Sequence, residues 1–149
     1  MSIALLDLPP VLPDATALSF ARPASLDFAE LLVWRPAAIA EIYATEGMHE
    51  GRPVLGVLDS QQAFRHTRFW RAEFMQFLGH GGTLVLFAPP FAQLGLHTVQ
   101  DIVGYDALEA LPDHPALGHA VCEPSPVECR AGQPFDGFFD AFGQHFEAS

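Results

Sequence analysis

Leu31-Leu32-Val33-Trp34, Pro53-Val54-Leu55-Gly56-Val57-Leu58-Asp59 and Thr83-Leu84-Val85-Leu86-Phe87-Ala88 are three short, nearly unbroken apolar runs, and what lies between them decides the fold. A run apolar at every position, rather than at alternate ones, is the mark of a strand covered on both faces. After the first run and its Arg35-Pro36 stop, Ala37–Met48 reads as a helix. Ile39, Ile42 and Tyr43 lie on one side, Glu41 and Glu46 on the other, and the stop is near Gly47 or Gly51. After the second run, Phe64–Leu78 carries Phe69, Trp70, Phe74, Phe77 and Leu78 at three- and four-residue spacings, and Gly79, Gly81 and Gly82 end it. Strand, helix, strand, helix, strand with short Gly/Pro joints predicts a right-handed βαβαβ unit. The expected fold is α/β, an open parallel sheet flanked by helices, within one domain over residues 1–149 whose core is 26–90.

Outward from this centre the pattern weakens. Residues 1–25, broken by Pro9, Pro10 and Pro13, read as an irregular N-terminal segment with one strand near Ala17–Ala21. After Pro90 a loop and a short helix around Val99–Leu111 are expected. His119–Glu123 and Val127–Ala131 are read as a hairpin across Pro124-Ser125-Pro126, confined by its prolines to a sheet edge. Phe135, Phe138, Phe139, Phe142 and Phe146 fall at i, i+3, i+4, i+7 and i+11, which predicts a closing helix with an apolar face.

Composition removes several functions. Seven arginines and no lysine stand against eighteen carboxylates, a formal charge of −11, which argues against phosphate-backbone binding and rules out lysine chemistry. No stretch approaches the roughly 20 apolar residues of a membrane span. The N-terminal run lacks a basic region and meets Asp7, Pro9 and Pro10, so no signal peptide is read and a cytoplasmic location is expected. Cys122 and Cys129 lack zinc spacing and are read as reduced thiols. Seven histidines offer no ligand spacing, since Pro115 and Gly118 break the closest pair, His114 and His119. Neither a metal nor a cofactor is expected.

Open parallel sheets bind ligands beyond the carboxyl ends of their strands. That rule singles out Asp59, Ser60 and Gln61 after the second run, with His66 a few residues on, as ligand or turn residues. Asp and Ser are equally at home there as helix caps. Arg65, Arg68 and Arg71 concentrate three of the seven arginines on the following helix. They form either intramolecular ion pairs or a patch for an acidic partner. Phe138 and Phe142 on the closing helix are core residues or a surface for another subunit.

Gly51-Arg52-Pro53-Val54-Leu55-Gly56-Val57-Leu58-Asp59-Ser60-Gln61-Gln62 resembles the nucleophile-elbow region of class I glutamine amidotransferases, G-K-P-V-L-G-I-C-x-G-x-Q, with Leu58 in the cysteine's place and Ser60 in the following glycine's. In an alternative register, Phe74–Phe87 resembles the helix-Gly-Gly-strand segment of ThuA-like and other amidotransferase-like domains, with Leu31–Trp34 as the preceding strand. The elbow then falls near Ala88-Pro89-Pro90. Neither register supplies a Cys or Ser nucleophile. The resemblance implies a flavodoxin-like, amidotransferase-like domain without its reaction.

Three functions follow as expectations. The first is a non-catalytic module that works by protein binding or self-association. The second is a small hydrolase or ligand-binding enzyme using Asp59, Ser60 and His66, although Gly-x-Ser-x-Gly is absent. The third is an acidic inhibitor or immunity-type protein that covers a basic partner.

Overall fold

The computed structural model describes residues 1–87 and 93–112. Its centre is a four-stranded, all-parallel sheet, and the first surprise is which strands build it. Ile3–Leu6 (β1), Thr16–Leu18 (β2), Leu31–Trp34 (β3) and Thr83–Leu86 (β6) lie in the order β2-β1-β3-β6. The N-terminal segment thus holds two strands, and β1 is interior to the sheet. Four apolar residues suffice for a strand once both neighbours complete its ladder, and Pro9, Pro10 and Pro13 fall harmlessly in the connection to β2. The rows Ile3-Leu31-Thr83, Ala4-Leu32-Leu84, Leu5-Val33-Val85 and Leu6-Trp34-Leu86 run straight across three strands. As expected, Leu31–Trp34 is buried at every position, whereas β6 is only partly buried, exposed at Thr83.

The run Pro53–Asp59 is not a strand of this sheet. Only Arg52–Leu55 (β5) is extended, Gly56 ends it, and Val57 and Leu58 open a helix that runs to Gly79 (α2). A short apolar run does not distinguish a strand from the start of a helix, and here one run contains both. Phe64–Leu78 is helical as expected, but the helix begins two turns earlier.

The helix expected over Ala37–Met48 is also cut short. A 3-10 turn at Pro36–Ala38 leads into one helical turn, Ile39–Ile42 (α1), and Tyr43 is already extended. Thr45–His49 (β4) then pairs antiparallel with β5. Every residue of β4 is exposed, so no apolar face holds 44–48 as a helix. Glu50 and Gly51, both at positive φ, form a two-residue turn that matches the twist of a hairpin.

Gln93–His97 (β7) and Ile102–Asp106 (β8) form a second hairpin, and the order β4-β5-β7-β8 makes a mixed second sheet. A helix was expected around Val99–Leu111. Thr98 and Asp101 instead close a tight turn, and only Ala107–Ala110 coils, as a 3-10 turn behind a capping box of Asp106 and Glu109. The expected parallel βαβαβ is therefore a parallel sheet whose β3-to-β6 crossover contains a hairpin and the long helix. The hairpin at 119–131, the helix at 135–146 and both cysteines lie outside the described residues.

One core joins these layers. Ala4, Leu6, Leu32 and Trp34 on one face of the parallel sheet meet Trp70 and Phe74 of α2 and Leu55, Leu94, Leu96 and Tyr105 of the second sheet. Leu5, Leu31 and Val33 on the opposite face pack with Leu8, Val11, Leu12 and Ala15 from the β1–β2 connection. Among the described residues no helix is long and apolar enough to cross a membrane.

Candidate partner-binding face of the long helix

The 23 residues of α2 bury Ser60, Ala63, Thr67, Trp70, Phe74 and Phe77, a single stripe at three- and four-residue spacing. Its polar groups bind α2 to different parts of the chain. Ser60 Oγ donates to the Leu55 carbonyl at 3.2 Å and accepts from the His97 amide at 2.9 Å. Trp70 Nε1 donates to the Phe20 carbonyl, and Glu73 accepts from the Leu26 amide, both at 2.9 Å. Arg71 donates to the Glu109 carbonyl at 3.1 Å. A helix held along its length in this way presents its other side as a rigid surface.

The residues singled out in the sequence do not converge on one reaction centre. Ser60 is fully buried, with its proton and an acceptor site both engaged. Asp59 stands in the first turn of α2, where Gly56 and not Asp59 is the N-cap, and Gln61 is exposed. His66 turns to Tyr43, with Nδ1 2.5 Å from the phenol oxygen. Partial burial and the neighbouring Arg65 charge lower the His66 pKa and so favour its neutral ring. Burial, with the Tyr105, Asp7 and Asp59 charges, raises that of Tyr43. No hydrogen bond joins Asp59, Ser60 and His66 to one another. Glu46 and His97 approach to 3.7 Å beside Ser60, but it is the His97 amide, not its ring, that meets the hydroxyl. Among the described residues no three His, Cys, Asp or Glu side chains cluster as metal ligands.

The outward side of α2 is different in kind. Arg65 and Arg68 are exposed, and no ion pair or hydrogen bond joins either to another of the described residues. Among the described residues the intramolecular pairing open to them in the sequence is not made, while Arg71 is partly buried and engaged. The same outward side carries Leu58 at 73%, Met75 at 53% and Val57 at 50% exposure, with Phe64 and Phe69 about a third exposed. Leu58, Gln62, Arg65, Phe69 and Ala72 follow one another at i, i+4, i+7, i+11 and i+14 along this side. The sequence shows the arginines, and its spacing sets Phe69 in one apolar series with Trp70, Phe74, Phe77 and Leu78. Two adjacent apolar stripes on one helix cannot be told from one wide stripe without knowing what lies against it. Phe138 and Phe142 lie outside the described residues. No family model matches this chain, and no curated protein or solved structure matches it either.

Proposed function

We propose that the chain is a non-catalytic α/β binding module that docks an acidic protein surface on the outer side of α2. The observation that carries this is the pair of exposed cations, Arg65 and Arg68, without a partner among the described residues and on the same side of α2 as exposed Leu58, Phe69 and Met75, in a protein of charge −11. Apolar anchors with arginine between them are the composition of interface centres. Two further points support a module without chemistry. The Ser60 hydroxyl is buried and engaged, and Leu58 stands where the amidotransferase resemblance places its cysteine. The order β2-β1-β3-β6 is that of the first four strands of a flavodoxin-like sheet, which supports that part of the reading.

The test uses a labelled amphipathic peptide with glutamates beside a leucine and phenylalanine face, titrated with the whole protein and followed by anisotropy. Binding that weakens steeply between about 0.05 M and about 0.5 M salt is expected, together with at least tenfold loss in the Arg65→Glu/Arg68→Glu variant. Equal binding by wild type and variant, or equal binding of a basic peptide, rejects the reading.

One observation favours a second reading, that of an acidic inhibitor. A cavity of about 610 Å³ at the amino end of the parallel sheet is lined by Asp27, Glu30 and Glu73, against His80 and the Met1 ammonium that pairs with Glu30 at 3.6 Å, and by no arginine. A basic protein would compete there, and Glu30→Gln/Glu73→Gln, not the arginine reversal, would weaken its binding.

A further inference from the structure

Asp7 stands where the two central strands of the parallel sheet part company. The chain leaving β1 through Leu8–Ala15 packs on one face, and the chain leaving β3 through Ile39 and α2 packs on the other. In open α/β sheets this divergence marks the crevice that responds to ligands. Asp7 adopts φ 56°, uncommon outside glycine, and touches every neighbour. Its amide donates to the Leu18 carbonyl at 3.0 Å, its carbonyl accepts from Arg35 Nε at 3.4 Å, and its Oδ1 accepts from the Phe20 amide at 2.9 Å. One residue thereby ties together the ends of β1, β2 and β3.

Among the described residues its other oxygen, Oδ2, is buried without a hydrogen-bond partner, and so is the indole Nε1 of Trp34, itself fully buried. An orphan acceptor and an orphan donor stand at one site, although buried polar groups are almost always paired. Phe20 connects this site to α2. Its amide is held by Asp7, its carbonyl accepts from Trp70 Nε1, and its ring stacks between Trp34 and Trp70 with centroids 5.9 and 6.1 Å away.

We propose that Asp7 is a proton-operated latch: ionised, it draws the Trp34 indole N–H onto Oδ2 and grips the Phe20 amide; protonated, it releases both, and Phe20 carries the change to Trp70 and α2. The device does not depend on what α2 docks. Burial holds the carboxyl proton up to about pH 6, against the Phe20 amide, the Ser19 and Trp34 side chains and Arg35, all of which favour the charged form. The charged or titratable groups around it are Arg35 at the end of β3, Glu41 of α1 bound to that arginine at 2.9 Å, and Tyr43 after α1. The β2 side brings Ser19, with Arg22 bridged to it, and α2 brings the uncharged Trp70 together with His66 and Asp59, which reach the site through Tyr43.

The chain has two tryptophans, so two indole N–H signals report on the latch directly in a ¹H–¹⁵N spectrum of the full-length protein. Between about pH 4.5 and about pH 7.5, both are expected to move with one inflection near pH 6. The inflection should vanish in Asp7→Asn and persist in His66→Gln. Flat indole signals, or an inflection that survives Asp7→Asn, overturn the proposal. If Asp7→Asn does not fold, the side-chain carboxyl carbon of Asp7 is titrated in the wild type. A midpoint at the ordinary carboxylate value of about 4 overturns the latch. A midpoint near 6 that rises further in Trp34→Phe supports it.

Discussion

Thr67 on α2 and Tyr105 on β8 share a buried hydrogen bond of 2.6 Å whose direction is fixed by a third group. Thr67 Oγ1 has one proton, and the Ala63 carbonyl 2.7 Å away receives it. Tyr105 must therefore donate to Thr67, and burial holds its proton up to about pH 12. The two substitutions that break this bond are consequently unequal. Tyr105→Phe removes a donor and leaves only an acceptor lone pair, at a cost of about 1 kcal/mol. Thr67→Val strands the buried Tyr105 hydroxyl, at a cost of about 2 kcal/mol. Urea unfolding of both variants and of the double variant checks the order, and the double variant should cost less than the sum.

Ser60→Ala is expected to behave as a structural lesion. It leaves the His97 amide without its acceptor, and a loss of roughly 1–2 kcal/mol in unfolding free energy follows. Binding of the acidic peptide by the folded variant should be unchanged. A variant as stable as the wild type that loses binding or any hydrolytic activity would return Ser60 to a functional role.

Asp7 gives the fold a pH dependence of definite sign. Its pKa is raised from 3.8 to about 6, so the folded chain holds a proton that the unfolded chain has released. The stability it contributes is complete below about pH 3.8 and is lost as pH rises through about 6. The shift corresponds to roughly 3 kcal/mol at most. Asn keeps an acceptor for the Phe20 amide and tolerates positive φ. The difference in unfolding free energy, Asp7→Asn minus wild type, should therefore rise by about 2–3 kcal/mol between those limits and then level off. A difference independent of pH would contradict the assignment.

The two sides of α2 should separate stability from binding. Leu58→Gln alters a side chain 73% exposed and is expected to change stability by less than about 0.5 kcal/mol while weakening the acidic peptide several-fold. Trp70→Phe, on the buried side, loses the bond to the Phe20 carbonyl and core volume. It should cost about 2–3 kcal/mol with little effect on peptide affinity at temperatures where the variant is folded.

How much of this was legible in the sequence depends on how local its cause is. Leu31–Trp34 and Phe64–Leu78 read correctly because continuous apolarity and a helical apolar stripe are each dictated by the segment itself. Ile3–Leu6 was missed because it is a strand only between β2 and β3, and Tyr43–His49 because the Glu50-Gly51 turn and β5 claim it from the helix. The arginines of α2 were visible as residue types. That neither Arg65 nor Arg68 pairs with a described residue depends on where the carboxylates of distant segments come to rest. Asp7 carried no signal at all, since its importance lies in a backbone angle and in the chain's exit to opposite faces of a sheet.

The second sheet has a consequence for the order of folding. Each of its hairpins is local, and hairpins of this length close within about 1–10 μs. They pair at Val54 and Gly95, across the whole of α2 and β6 in sequence, where a Cβ on residue 95 would lie 2.9 Å from Val54 Cγ2. That junction cannot zip outward from a turn. It must await the docking of α2 on the parallel sheet, which brings β5 and β7 alongside one another. Non-local pairing of this kind slows folding, and a side chain at residue 95, which would also press on Ile102 of its own hairpin at 3.1 Å, should slow that docking while leaving the β4–β5 hairpin to form at its own rate.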